Sequence, residues 1–268
     1  MPPLLQQIVD GPSTCQYLGD RQATIDNRII VGDTAEQLEA MLIRGWRRFG
    51  PVHFRPACAG CGECVPLRIP VADFRPSRSQ RRAARACEGL RVTIGPPRVD
   101  ADRLALYRAW HRFREDVRAW EPNPLEARDY WLQLAYPHPA TREIAYYDDG
   151  GGGASGDGAA EPGVSRLVGL GICDETPRAW NAAYFFYDPA YARRSLGVAN
   201  ILQQIAVARA RGIPHVYLGF RVLPCPSMRY KAGFRPHELL QGRPDFDEEP
   251  VWQRGGDFVP PAVPAGSG

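Results

Sequence analysis

Lysine is nearly absent. A single lysine, Lys231, stands among 33 basic residues in a chain of 268, and the rest are arginine. Most of that bias reflects nucleotide composition. Against it, a retained lysine marks a place where a compact ammonium is needed and a planar guanidinium does not fit. No apolar run is long enough to span a bilayer. The opening Met-Pro-Pro-Leu-Leu-Gln-Gln has neither a basic n-region nor an apolar h-region. No export signal and no membrane partner are therefore expected, and a cytoplasmic setting is. Seven cysteines, an odd number, argue against a disulfide framework and for a reducing compartment.

The charge that is present is unevenly placed. The net charge is only +3, yet residues 41–91 carry eleven arginines against Glu63, Asp73 and Glu88. Such focused positive charge points to a polyanionic partner. Its densest part is Phe74-Arg75-Pro-Ser77-Arg78-Ser79-Gln80-Arg81-Arg82, where Ser77 or Ser79 can cap a helix running to about Glu88. Arginines at a helix start oppose the macrodipole, a cost that nucleic-acid phosphates would repay. Immediately before them lie Cys58, Cys61 and Cys64 at two-residue spacing, a thiol set suited to zinc or an iron–sulfur cluster. Reduced thiols packed without metal are the alternative.

Periodicity gives a mixed α/β (α+β) chain. Strands are predicted at 25–31, 65–71, 90–94, 143–147, 167–173, 179–187 and 216–219. Helices are predicted at about 34–44, 100–120, 125–136 and 197–211, the first capped by Asp33 with Glu36 three residues on. Pro96-Pro97 is the expected boundary between a smaller N-terminal α+β unit (1–96) and a second domain (97–253). Residues 148–165 read as a low-complexity, flexible insertion and 254–268 as a disordered tail.

Between the strand at 179–187 and the helix at 197–211 runs Tyr187-Asp188-Pro189-Ala-Tyr-Ala-Arg193-Arg194-Ser195-Leu196-Gly197-Val-Ala199. Arg194-x-x-Gly197-x-Ala199 resembles the acyl-donor loop of the GCN5-related N-acetyltransferase (GNAT) superfamily. Small residues there let backbone N–H groups approach an anion at a helix N-terminus.

Nine segments in order resemble one family, the bacterial aminoacyl-tRNA–protein transferases and their arginyl-tRNA–protein transferase relatives. They are Cys15-Gln-Tyr-Leu, Gly45-Trp-Arg-Arg-Phe-Gly50, Phe54-Arg-Pro56, Cys58-x2-Cys61-x2-Cys64-Val-Pro-Leu-Arg68, the arginine block 74–82, Phe186-Tyr-Asp-Pro189, Arg194-Ser-Leu-Gly197, Tyr217-Leu-Gly219 and Met228-Arg-Tyr-Lys231-Ala-Gly-Phe-Arg235-Pro236. The resemblance implies an acetyltransferase-like mixed-sheet catalytic domain. It also implies transfer of leucine or arginine from aminoacyl-tRNA to acceptor proteins with an N-terminal Asp or Glu, an N-degron mark for degradation. It makes Cys15 the natural fourth ligand beside Cys58, Cys61 and Cys64, with an iron–sulfur cluster or zinc as candidate cofactor; the transfer chemistry itself requires none. Three departures stand out. Pro224-Cys225-Pro226-Ser227 lacks a basic residue before Met228, 148–165 is inserted, and 110–122 lacks the His-rich pattern of the leucyltransferases.

Aminolysis of an activated ester asks for alignment, oxyanion stabilisation and a modest base. Tyr187, Asp188 and Tyr217 are candidates for the proton relay, although Asp188 before Pro189 also fits a turn-shaping role. An acidic acceptor residue needs a cation, and Lys231 is the first choice, with Arg235, Arg78 and Arg81 behind it. Arg235 could instead pair with Glu238. Arg75, Arg78, Arg81, Arg82 and the Arg194, Ser195, Leu196, Gly197, Ala199 loop are the expected tRNA contacts. Trp46, Tyr184 and Phe186 are candidates to stack a terminal adenine or to sit in the core. Two other readings remain open: an N-acetyltransferase using acetyl-CoA, and a non-catalytic tRNA-binding relative.

Overall fold

The computed structural model describes residues 1–118, 126–150 and 165–258. Most of the expected insertion, the join between the two middle helices and the last ten residues of the expected tail lie outside them.

The chain opens with β1 (Leu4–Thr14), β2 (Gln22–Ile30), α1 (Ala35–Leu42), β3 (Arg47–Phe49) and β4 (Val52–Pro56). These strands form an antiparallel sheet in the order β1-β2-β4-β3. The cap of α1 is Thr34, boxed with Gln37, not Asp33. Asp33 is instead buried between His53 (3.6 Å) and His138 (3.4 Å).

Next come β5 (Val65–Pro70), α2 (Arg78–Arg85), β6 (Arg91–Gly95), α3 (Ala101–Arg118), α4 (Ala127–Leu134), β7 (Thr141–Asp148), β8 (Arg166–Glu175), β9 (Ala179–Tyr187), a 3-10 turn (Pro189–Arg194), α5 (Leu196–Ala210), β10 (His215–Arg221), a second 3-10 turn (Arg229–Gly233), β11 (Glu238–Leu240) and β12 (Trp252–Arg254). Among the described residues eight strands make one mixed sheet, ordered β12-β11-β5-β10-β9-β8-β7-β6. Strands β5 and β6 precede Pro96, so this sheet crosses the boundary expected there.

The sheet is covered on both faces, which explains why β8 is buried along nearly its whole length rather than alternating. Against one face, Leu196, Ile201, Ile205 and Ala208 of α5 join Leu67, Ile69, Val168, Val216 and Leu218. Against the other, Leu106, Tyr107 and Trp110 of α3 and Tyr130 and Leu134 of α4 pack on Ala145, Leu170, Ile172 and Phe186. Burying side chains of this size contributes roughly 1.5–3 kcal/mol each. The indole N–H of Trp180, wholly buried, donates to Gln204 Oε1 at 2.9 Å, as a buried Trp requires. No helix among the described residues is long and apolar enough to cross a membrane.

Candidate active site

Strands β9 and β10 are parallel neighbours for only three residue pairs, His215–Ala179, Val216–Trp180 and Tyr217–Asn181. Beyond them the strands part, and the carbonyls facing the gap need other donors. Arg47 Nη2 donates to the Ala182 carbonyl at 3.2 Å. Lys231 Nζ, from the 3-10 turn Arg229–Gly233, donates to the Phe220 carbonyl at 3.2 Å.

Among the described residues neither of these cations forms an ion pair with a carboxylate. Arg48, the next residue after Arg47, takes Asp174, whose other oxygen accepts from Asn181 Nδ2 at 2.7 Å. Burial lowers the Arg47 pKa to about 10. Burial, and then the charge of Arg47, lowers Lys231 from 10.5 to about 7. The surroundings do not neutralise them. Burial holds the Tyr17 phenol and the Cys64 thiol each at about 12, so both are uncharged at neutral pH. Cys225, buried nearby, shares a 3.2 Å contact with Ser227 Oγ. Two buried basic groups without ion-pair partners of their own are costly, and such pairs are typical of functional sites.

The start of α5 flanks the same sheet. Ser195 caps it at φ 57° and ψ 42°, and it is the non-glycine residue with positive φ among the described residues. This left-handed turn swings the chain from the 3-10 turn into α5. The N–H groups of Leu196 and Gly197 then lead the helix, where donors have no carbonyl partner within the α-helix itself. Close approach of α5 depends on missing side chains. A Cβ on Gly171 would come 3.1 Å from Asn200 Oδ1, and one on Gly169 3.0 Å from Leu196 Cδ2. The side chains of Leu196 and Ala199 face the core, whereas Ser195 is exposed and Arg194 lies 5.0 Å over the Tyr191 ring.

Helix α2 adjoins both features. Ser77 is its cap, boxed with Gln80. Gln80 Nε2 donates to the Gly233 carbonyl at 3.2 Å, tying α2 to the Lys231 turn. Cys87 Sγ reaches the Arg194 carbonyl at 3.6 Å, tying its other end to the α5 loop. Arg75, Arg78, Arg81 and Arg82 are all exposed, and none pairs with a carboxylate among the described residues.

Other expected residues are placed elsewhere. The carboxylate of Asp188 is committed to structure: it accepts from Ala190 N at 2.9 Å and pairs with Arg166 at 3.1 Å. Tyr187 stacks against Phe185 and Trp110 (centroids 5.5 and 4.4 Å). The Tyr217 hydroxyl accepts from Arg68 Nη1 at 3.2 Å, inside a cluster with Leu38 and Leu42. Arg235 is exposed and does not pair with Glu238, which takes Arg68 at 2.7 Å. Trp46 and Phe186 are fully buried. Arg28 and Arg55 cover Trp46 at 4.3 and 4.5 Å, so it cannot stack a base. Tyr184 is half-buried and shares a 2.9 Å hydrogen bond with His111, a residue that sequence reasoning passed over.

The four expected thiols share one region: burial, and then the nearness of Cys15, Cys58 and Cys61, raises the Cys64 thiol. Cys58 Sγ contacts the Thr24 backbone (N at 3.4 Å, O at 3.6 Å), and Cys61 Sγ accepts from Arg21 Nη1 at 3.4 Å. Cys64 also packs against Phe220, Val222 and Cys225. Among the described residues no three His, Cys, Asp or Glu are arranged to hold a metal ion.

Comparison with known proteins agrees with the motif order. The family described as "Arginine-tRNA-protein transferase, C terminus" matches residues 102–241, and its N-terminal counterpart matches 13–82. An aspartate/glutamate leucyltransferase of Helicobacter hepaticus is 32% identical over 250 residues, covering 93% of this chain and 98% of the relative. One of Halorhodospira halophila is 37% identical over 234 residues, covering 85% and 91%. The solved structure of FemX overlaps 85% of this chain and 65% of its own at 9% identity and a TM-score of 0.45, too low to carry an argument. On the family matches and these full-length relatives, the chain belongs to the aminoacyl-tRNA–protein transferase family.

Proposed function

We propose that this protein moves leucine from leucyl-tRNA to the α-amine of acceptor proteins that begin with Asp or Glu, in the cytoplasm, marking them for degradation. The relatives of Helicobacter hepaticus and Halorhodospira halophila, both named aspartate/glutamate leucyltransferases, favour leucine over arginine and an acidic acceptor. The observation that carries the reading is the Arg47–Lys231 pair in the β9/β10 split, neither with an ion pair of its own among the described residues, adjoined by the arginine face of α2.

In the reaction the acceptor amine attacks the ester carbonyl. A C–N bond forms, the ester C–O bond breaks, and the terminal ribose hydroxyl leaves with a proton. The amine must first be neutral, and its reference pKa is about 7.7–8.0. Lys231, lowered to about 7, is matched to take that proton. Arg47, charged throughout, favours the negative tetrahedral intermediate. The N–H groups of Leu196 and Gly197, with Arg194, suit a phosphate near the 3′ end, and Arg75, Arg78, Arg81 and Arg82 suit phosphates further back. The split strands and the α5 start support an acetyltransferase-like catalytic domain.

The test is direct. The protein is incubated with leucyl- or arginyl-tRNA and peptides beginning with Asp, Glu, Arg or Ala, and product masses are read. Leucine added to Asp and Glu peptides is expected. Acetyl transfer from acetyl-CoA, or salt-sensitive tRNA binding with no transfer, would replace this reading.

A further inference from the structure

A cleft of about 210 Å3 opens beside the split, and among the described residues its wall carries three arginines and no acidic residue. Arg44 and Arg55 are half-buried in it, and Arg243 is exposed at its mouth. All three donate only to backbone carbonyls. Arg44 reaches those of Ala40, Asp245 and Glu248 (3.2, 2.9 and 3.2 Å), Arg55 those of Arg243 and Pro244 (3.4 and 2.9 Å), and Arg243 those of Cys58 and Cys61 (3.3 and 3.0 Å). A carbonyl satisfies a guanidinium proton but leaves its charge standing. The nearby carboxylates, Asp26 and Asp245, are held by Arg28 at 3.9 and 3.5 Å. Among the described residues none of the three arginines forms an ion pair.

The rest of the wall is apolar. Val65, Pro66, Leu240 and Phe258 give it low-polarity walls, beside which charge interactions are stronger than in bulk water. Phe220 and Cys64 belong both to this wall and to the surroundings of Lys231, so the cleft and the split are adjacent. A lysine poised to lose its proton is a poor permanent anchor, whereas guanidinium groups stay charged and grip carboxylates through paired N–H donors.

We propose that this arginine-rimmed cleft, rather than Lys231, receives the side-chain carboxylate of the acceptor's first residue. The proposal rests on the transferase reading and assigns its acceptor specificity to Arg44, Arg55 and Arg243.

The test uses the full chain with leucyl-tRNA and two peptides that differ only in Glu or Gln at the first position. Arg243→Gln should raise KM for the Glu peptide roughly tenfold, the loss of one charged hydrogen bond. It should also narrow the Glu/Gln preference and leave KM for leucyl-tRNA unchanged. Gly242 has φ +65° and open space where a Cβ would stand, a conformation that Asp and Asn tolerate. Gly242→Asp sets a carboxylate at the mouth and should weaken the Glu peptide, while Gly242→Asn should not. An unchanged Glu/Gln preference in Arg243→Gln, or equal effects of the two Gly242 variants, overturns the proposal. A KM rise for tRNA alone also overturns it and makes the cleft a phosphate site. If the unmodified protein transfers nothing, the transferase reading fails. The cleft is then judged by fluorescence anisotropy of labelled Glu and Gln peptides, with tighter Glu binding that Arg243→Gln abolishes as the supporting result and its absence as the opposing one.

Discussion

Arg47 Nη2 and Lys231 Nζ converge on one point. They lie 3.5 and 3.6 Å from where a Cβ of Gly219 would stand. Gly219 carries φ +74°, so the residue type that fits this backbone also leaves the space the two cations occupy. Among the described residues neither cation forms an ion pair of its own; Asp174 lies within electrostatic reach of Arg47 but is paired with Arg48.

The first consequence is a pH profile. With peptide saturating, kcat for leucyl transfer should rise through pH of about 7 as Lys231 loses its proton. Arg47→Met removes a charge that lowers the Lys231 pKa, so the midpoint should move to higher pH. Lys231→Met should lose about 100-fold or more in kcat and abolish that limb. Stability gives an independent readout. The unfolded lysine keeps its proton up to 10.5 while the folded one releases it at about 7. Between those values the unfolded state binds more protons, so stability rises with pH. Urea unfolding across that window should show the slope in the parent and lose it in Lys231→Met; a slope that persists removes Lys231 as its source.

A second consequence concerns salt. Arg81 and Arg82 are exposed and unpaired with acids, so Arg81→Ala and Arg82→Ala should leave the melting temperature and kcat in place. Each should raise KM for charged tRNA. Each should also lower the log–log dependence of tRNA affinity on salt by about 0.9. Titration at several salt concentrations measures both, and parallel slopes in parent and variants would take α2 out of the tRNA path.

Third, two glycines with similar backbones should respond very differently. Gly50 has φ +55°, and a Cβ there would fall 1.9 Å from the Leu132 carbonyl oxygen. Gly50→Ala combines a left-handed penalty with displacement of α4 and should cost about 3 kcal/mol or more. Gly60, at φ +67° with nothing within 4 Å, should cost only about 1–2 kcal/mol as Gly60→Ala. Denaturant midpoints of the two variants make the comparison.

Much of the fold is legible in the chain. Val65, Leu67 and Ile69 alternate with half-buried neighbours and form β5, and Ser77 caps α2 through Gln80, a box readable from residue types alone. Less legible is β1, whose residues are all exposed and so carry no buried-face pattern. The cap of α1 is displaced by one residue because Thr34 and Asp33 are both good caps and only packing shows that Asp33 faces two histidines. Lys231 stands out by its rarity and its motif. Arg47 lies in one of the family-like segments, Gly45 to Gly50, but nothing there separates it from Arg48 or shows that it is buried beside Lys231. The cleft arginines are further out of reach: Arg44 and Arg55 precede β5, and Arg243 joins them only because β11 pairs with β5.

β1 leaves its own legacy. It is the outermost strand of its sheet, and Leu4, Leu5, Ile8 and Val9 are 48%, 69%, 38% and 59% exposed. An open edge with such side chains is a template on which further copies can add backbone to backbone. Register breaks between Leu4 and Gln6 and between Asp10 and Ser13 spoil its straightness. Those irregularities, together with Asp10, are what this molecule has there to stay dispersed at high concentration.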